Sequence, residues 1–397
     1  MSYNIAMSGL RSTSQELNTI SNNIANVSTA GFRGARSEFA AIYNGGQAGG
    51  VSMTGASQNF SLNGTMNYTG RSLDLGIQGN GFFVLGADDG TTLYSRAGMF
   101  NQNADGYVVD PYGNRLQGYP VSSGGTILTG SVGDLQVQAG SIPARATTEV
   151  NMTANLDARV SAITAPFDAT DVSTYHSSNT VSVYDSQGNK HALTQYYVKT
   201  ADNNWTVHYA VDGTPLADTN TMSFDTSGNL TAGGSDTLTI NAATLGTGSA
   251  DLTLDLEWNN TTQYGADYIT SKIDQNGNTS GEMKGVRVAE DGKVYSTYTN
   301  GEERLQGQVV LANFTNPNGL EAVNNTAWIA NQEAGDPAVG APGSGTLAGL
   351  SAGYIEGSNV DLTAEMVNLM TAQRNYQSNA KVLTAADTMN QSLLNAI

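Results

Sequence analysis

The chain has no cysteine, so a disulfide scaffold, a thiolate zinc site, an iron–sulfur cluster and a cysteine nucleophile are all excluded. Positive charge is scarce. Lys+Arg number 17 against 35 Asp+Glu, a formal charge of −18. That balance repels phosphate backbones and anionic lipid and argues against nucleic-acid partners. Charge of either sign is sparse as well, at 13% of residues against roughly 25% in ordinary soluble domains. Long apolar runs are missing. Phe82-Phe83-Val84-Leu85 and Val309-Val310-Leu311 are the longest kind present, far short of the roughly 20 residues a membrane helix needs, so no membrane insertion is expected. Met1–Met7 has neither the basic stretch nor the apolar core of a Sec-type signal. The 18 Tyr, nine Phe and many β-branched residues are enough to build cores, which excludes disorder throughout.

The two ends differ from the middle. Residues 1–30 contain no proline and a single glycine, Gly9. Leu10, Leu17 and Ile24 recur every seven residues, interleaved with Ala6, Thr13, Ile20 and Val27, which is the a/d pattern of a helix that packs on another helix. Gly31 is the expected stop. Near the other end Leu362, Leu369, Tyr376, Leu383, Asn390 and Ile397 also recur every seven, with Met366, Gln373, Ala380, Asp387 and Leu394 as companions. Ser358 or Asn359 is the expected cap, with Asp361 near the first turn, where the helix dipole favours a carboxylate. Both segments carry equal numbers of acids and bases and very few of either. An ordinary coiled coil carries charge at e and g. Neutral flanks fit a terminal helix pair docked on a core, or, more sharply, helices packed on several sides by neighbouring copies with a neutral polar face to water.

From 32 to 357 the pattern is β, with strand-like runs at 73–77, 81–85, 181–184, 193–198, 205–211, 237–240 and 252–258. A D-x-x-G-N motif occurs at Asp110–Asn114, Asp185–Asn189, Asp225–Asn229 and Asp274–Asn278. It suits a type I turn followed by a left-handed glycine, closing a hairpin. A calcium loop is the alternative, but none of the four has the full ligand spacing with a distal glutamate. Residues 146–283 hold sixteen Asp/Glu and four Lys/Arg, so most of the net charge belongs to this stretch. Gly45–Gly50 and Gly335–Gly345 read as solvent-facing loops or hinges.

Candidate chemistry is thin. His176, His191 and His208 all fall in the acidic stretch and are expected to be solvent-exposed, two of them on strands. No nucleophile elbow, zinc-protease helix or phosphate loop occurs. Gly76–Gly81 lies between strands, so it reads as a turn and not as a phosphate cradle. No enzyme, catalytic residue, metal site or cofactor is expected.

Several blocks together resemble one family. Ser8-Gly9-Leu10, then Asn22-Asn23-Ile24-Ala25-Asn26, Thr29 and Gly31-Phe32-Arg33 look like the N-terminal signature of bacterial flagellar rod and hook axial proteins. Leu73–Val84 with Gly79 and Gly81, Tyr94–Phe100 and Leu116–Tyr119 resemble the blocks that follow. Leu311–Phe314 with Asn316–Leu320, then Ser358-Asn359-Val360-Asp361-Leu362 and Ala372–Lys381, complete the series in order. The long 146–283 insertion makes the chain most similar to the hook branch; a distal rod or hook–filament junction protein is the alternative, or, in a different class, a secreted β-rich calcium-binding adhesin.

The resemblance implies a mainly β fold with terminal α-helices paired as a coiled coil and β domains nested between them. Residues 1–30 and 358–397 would form the inner, channel-lining core, with 31–72 a connecting segment. Residues 73–145 and 284–357 would form a discontinuous middle β domain, and 146–283 an inserted outer one. It also implies a homopolymer that works with rod, hook-cap and hook–filament junction proteins and the flagellar type III export apparatus. The subunit would be exported to the hook, outside the cell surface, without a cleaved signal. Leu10, Leu17, Ile20, Ile24 and Val27 of the first helix, with Leu362, Met366, Leu369, Tyr376, Leu383 and Leu394 of the last, are the expected assembly residues.

Overall fold

A computed structural model describes residues 2–44, 47–122 and 124–394. They form two compact units, one from Met1–Ala139, Gly285–Thr297 and Glu303–Ile397, the other from Gly140–Lys284 and Tyr298–Glu302.

In the first unit, helix α1 spans Ser2–Ala25. It stops earlier than the expected Gly31. Asn26 ends it, with its backbone N–H and its side-chain Nδ2 both donating to the Asn22 carbonyl at 3.1 and 3.0 Å. Gly31 serves the next reversal. Its φ of +70° is left-handed, and a Cβ there would lie 2.5 Å from the Ala97 nitrogen. The stretch read as a connecting segment contains a long antiparallel hairpin, β1 (Ala35–Asn44) and β2 (Gln47–Gln58). Gly45 and Gly46 lie outside the described residues. Gly49 and Gly50 are not loop residues but part of β2, with Gly50 against Ser8 of α1.

The rest of this unit weaves early strands with late ones. Phe82–Gly86 pairs with Leu311–Asn313, Thr92–Ser95 with Ala327–Ile329, and Arg115–Pro120 with Glu303–Val309. Leu75–Ile77 pairs with Leu350–Ala352, and Met66–Tyr68 with Tyr354–Glu356. Pairing across some 200 to 300 residues of sequence leaves the two chain ends side by side. The core beneath is aromatic: Phe60, Phe82, Phe314 and Trp328 meet edge to face, with ring centroids 5.5–5.9 Å apart.

The second unit is a sandwich. One sheet orders Ser177–Tyr184, Lys190–Ala201, Asn204–Val211, Thr214–Phe224 and Leu230–Ala232; the other holds Ser235–Ile240, Leu252–Glu257, Glu149–Asp157, Thr262–Tyr264 and Ile269–Gln275. Strict alternation along Glu149–Asp157 and Leu252–Glu257 turns one face inward. Val150, Met152, Leu254 and Trp258 from one sheet share a core with Leu193, Tyr197, Trp205 and Val207 from the other. The buried indoles are satisfied, Trp205 Nε1 donating to Gln263 Oε1 at 2.7 Å and Trp258 Nε1 to the Tyr197 hydroxyl at 3.1 Å. A short helix, α2 (Ala242–Leu245), sits between strands of this unit.

Three of the four D-x-x-G-N motifs close hairpins. In each, an Asp oxygen accepts the N–H groups of the residues two and four positions on, and the glycine is left-handed. The fourth does not. Asp274 and Gln275 still belong to a strand, and Asn276 Oδ1 accepts the N–H groups of Thr148 and Glu149. Gly277 is there because a Cβ would meet Thr147 Oγ1 at 2.1 Å.

The histidines are not solvent-exposed. His191 is buried, with Nδ1 2.7 Å from Asp212 Oδ2 and Nε2 3.5 Å from Asp185 Oδ2. His208 stacks on Phe167 with ring centroids 4.2 Å apart, and burial lowers its pKa. His176 is half-buried, with its Nε2 2.8 Å from the Ser161 carbonyl. Residues of turns and of the irregular 158–176 stretch cover these rings, which a pattern in one strand does not reveal.

Candidate assembly interface

The C-terminal helix α3 spans Leu362–Leu394. Its cap is Asp361, not Ser358 or Asn359: Asp361 Oδ1 accepts the N–H groups of Thr363 and Ala364 at 2.8 and 3.2 Å. Ser358 instead bonds the Val360 nitrogen, and Asn359 is used elsewhere.

Helices α1 and α3 pack against each other, and two contacts set their direction. Asn23 Nδ2 donates to Glu365 Oε1 at 3.2 Å, and Gly9 lies against Asn379 so closely that a Cβ would sit 2.9 Å from its amide nitrogen. These contacts are fourteen residues apart on both helices and run in opposite senses, so the pair is antiparallel and in register over two heptads.

The expected assembly residues divide by exposure. On α1, Ala6, Thr13 and Ile20 are buried, while Leu10, Leu17 and Ile24 are half-buried. Val27 lies past the helix end, half-buried. On α3, Leu369 and Leu383 are half-buried, whereas Leu362, Met366 and Tyr376 stand exposed at 43–44%. The side chain of Leu394 and all of Ile397 lie outside the described residues. The companion row on α3 is one residue earlier than expected. Glu365, Ala372 and Asn379 face inward, whereas Met366, Gln373 and Asp387 are exposed and Ala380 is half-buried. Small and polar groups form this seam, so an apolar heptad alone marks the wrong companions. Val367, Met370, Val382 and Met389 add to the exposed apolar surface of α3.

The other side of α1 meets the hairpin. Ser8 Oγ accepts the Val51 N–H at 3.2 Å, and the hydroxyls of Thr19 and Ser37 lie 2.9 Å apart. Asn23, at 2% exposure, donates to the Ala35 carbonyl at 2.7 Å and accepts the Ala35 N–H at 2.9 Å, so one amide joins α1, β1 and α3. Asn359 plays a similar part: Oδ1 accepts the Gly34 N–H at 2.7 Å, and Nδ2 donates to the Asn59 and Leu62 carbonyls. Asn22 and Asn26 bond each other along α1, and Thr29 donates to Asn26. Phe32 is half-buried beside them. Gly79 and Gly81 both have positive φ beside the Phe82 strand.

Where the helices join the β body lies a buried charge cluster that sequence reasoning missed. Glu356 is fully buried. Its Oε1 accepts from Arg33 Nη2 at 2.8 Å and from the Gly64 N–H at 2.9 Å, and its Oε2 from Arg96 Nη1 at 3.2 Å. Two guanidinium groups thus share one carboxylate. Burial first, and then the Arg33 charge, lower the Arg96 pKa to about 10 against the opposing pull of Glu356. Arg33 Nε and Nη1 and Arg96 Nε are buried and find no acceptor among the described residues. Arg96 also lies 5.2 Å from the centroid of the Phe82 ring. The one available signal was a lone glutamate just before α3 in a stretch otherwise without charge.

Comparison with known proteins finds matches along the whole chain. Residues 4–33 match the profile described as flagella basal body rod protein, and 76–176 that of the flagellar hook protein FlgE/F/G D1 domain. Residues 155–278 match the flagellar basal body protein FlaE D2 domain, and 351–396 the flagellar basal body rod FlgEFG protein C-terminal. The chain is 37% identical to the flagellar hook protein FlgE of Salmonella typhimurium over 414 residues and to that of Escherichia coli over 407, covering all of each chain. It is 30% identical to the FlgE of Brucella suis, covering 98% of this chain and 97% of that one. Among solved structures, the Helicobacter pylori flagellar hook protein FlgE2 matches in fold, with a TM-score of 0.54 at 15% identity, over 73% of this chain and 99% of that one.

Proposed function

The chain belongs to the flagellar hook protein family, and on that premise we propose that it polymerises into a curved, flexible tube that carries torque from the rod to the filament. It is a structural subunit of the bacterial flagellar hook, and its role is mechanical, without catalysis. The paired terminal helices form the inner core of the tube and line its channel, and 146–283 is its outer module. The subunit leaves the cell as an unfolded thread through the flagellar type III apparatus, without cleavage. At the ends of the tube it meets rod, cap and junction proteins.

The observation that carries this reading is α3. It seals one face against α1 yet leaves Leu362, Met366, Met370 and Tyr376 exposed on a helix with no net charge. A surface of this kind is satisfied by neighbouring helices. Bending requires neighbours to slide as they pass from the inner to the outer curve, and small polar contacts in the acidic module permit that better than dry apolar ones. Electron microscopy of purified protein under polymerising conditions tests the reading. Curved tubes are the expected result; a protein that stays monomeric, or grows only straight rods, contradicts it.

A further inference from the structure

Helix α1 has a third side. One side meets α3 and another the hairpin; the side bearing Asn18 and Asn22 is exposed and forms one wall of an open groove of about 750 Å³. The opposite wall is the turn between Glu321–Val323 and Ala327–Ile329, bearing Asn324 and Asn325, and Trp328 and Gln58, hydrogen-bonded to each other at 2.6 Å, also line it. Every lining residue is uncharged. The amides of Asn18, Asn324 and Asn325 make no hydrogen bond to another described residue, so each wall offers open donors and acceptors.

We propose that this groove is a docking surface for an uncharged, amide- and hydroxyl-rich segment of a second copy of this chain. The argument is one of charge. Each copy carries −18, most of it in 146–283, so two copies repel most strongly where those acidic stretches would meet. They meet at least cost where neither surface is charged, and like-charge juxtaposition suppresses other registers. Amides on both walls pair with amides or with exposed backbone, because each group both donates and accepts. The chain supplies such groups itself: Asn4, Ser14, Gln15 and Ser21 are exposed on α1, and Asn368, Gln373, Gln377 and Ser378 are exposed on α3 among its apolar residues. The inference rests on the assembly reading above and adds to it a particular surface.

The test places one positive charge on each wall, Asn22→Lys and Asn324→Lys, with Thr253→Lys in the other compact unit as a charge-matched control. Both groove positions are exposed, and circular dichroism checks that each variant folds. The expected result is a critical concentration for tube growth raised about tenfold or more for the two groove variants and little changed for the control. Groove variants that polymerise like the parent overturn the inference and leave the assembly reading intact; a parent that forms no tubes removes the assembly reading instead. A second measurement places a photoreactive phenylalanine analogue at position 22 in a small fraction of subunits within wild-type tubes. Crosslinks to an uncharged segment of a neighbouring copy are expected. Crosslinks confined to the same chain, or to charged segments, overturn the proposal.

Discussion

Among the described residues Glu356 is the only carboxylate that Arg33 and Arg96 share, so neutralising it leaves two buried guanidinium groups facing each other. Removing one partner of a buried ion pair costs about 3–5 kcal/mol. We expect Glu356→Gln to lower the urea midpoint of the free subunit by a corresponding amount, whereas Glu38→Gln, which breaks an exposed pair with Arg36, should change it little. Asp185 makes a second prediction at this scale. Burial alone would raise its pKa. The Asn189 amide, the Thr247 hydroxyl and the backbone N–H groups of Asn189 and Gln187 outweigh that and hold it well below the ordinary aspartate range. Unfolded aspartate titrates near about 3.9. The folded group is therefore stabilising above that value, and the contribution is lost as pH falls below about 4 toward its folded pKa. Between pH 5 and pH 3 the unfolding midpoint of the parent should fall more steeply than that of Asp185→Asn. Equal slopes would mean that these hydrogen bonds do not distinguish the folded carboxylate.

At the scale of elements, α3 is a helix with more apolar surface than one partner can cover. In the free subunit it is held by α1 along one face only, since Leu369, Ala372 and Leu383 are covered while Leu362, Met366 and Met370 are open. Amide exchange along α3 should therefore slow on assembly by a larger factor than exchange in the Glu149–Asp157 strand, whose inward face is already sealed. Leu369→Lys should leave the β strands folded and abolish tube growth, because an unpaired charge in a packed seam costs about 3–5 kcal/mol. A variant that still grows tubes of normal diameter would place Leu369 outside the assembly seam. The hairpin holds α1 from the other side through hydroxyl contacts such as Ser8 to Val51, and α1 is correspondingly better covered than α3.

At the scale of the whole molecule, the acidic unit carries its own core. Trp205, Trp258, Tyr197 and Tyr209 are buried within it, and its two sheets close on each other. The remaining strands of the first unit pair among themselves without it. Deleting 146–283 and joining the ends with a short flexible linker should leave tubes that form but are straighter or bend differently under electron microscopy. Loss of all assembly would contradict the division between inner packing and outer sliding contacts.

What the amino-acid order determined by itself is local. Seven-residue spacing marks α1 and α3, two-residue alternation marks the strands, and an Asp followed by a left-handed Gly marks three hairpin turns. Each of these rests on the geometry of a few neighbouring residues, so a short window contains it. Tertiary structure decided what no window holds. It set the antiparallel register through Asn23–Glu365 and Gly9–Asn379, and it made Asp274–Asn278 run beside Thr147 and Thr148 instead of turning. It buried His191 between two aspartates and joined two sheets over one core. It also placed Glu356 between two arginines, one of them more than 300 residues away along the chain. The physical reason is shared. Periodicity reports which face of an element is apolar, whereas burial, register and ion pairing depend on which distant element arrives to cover that face.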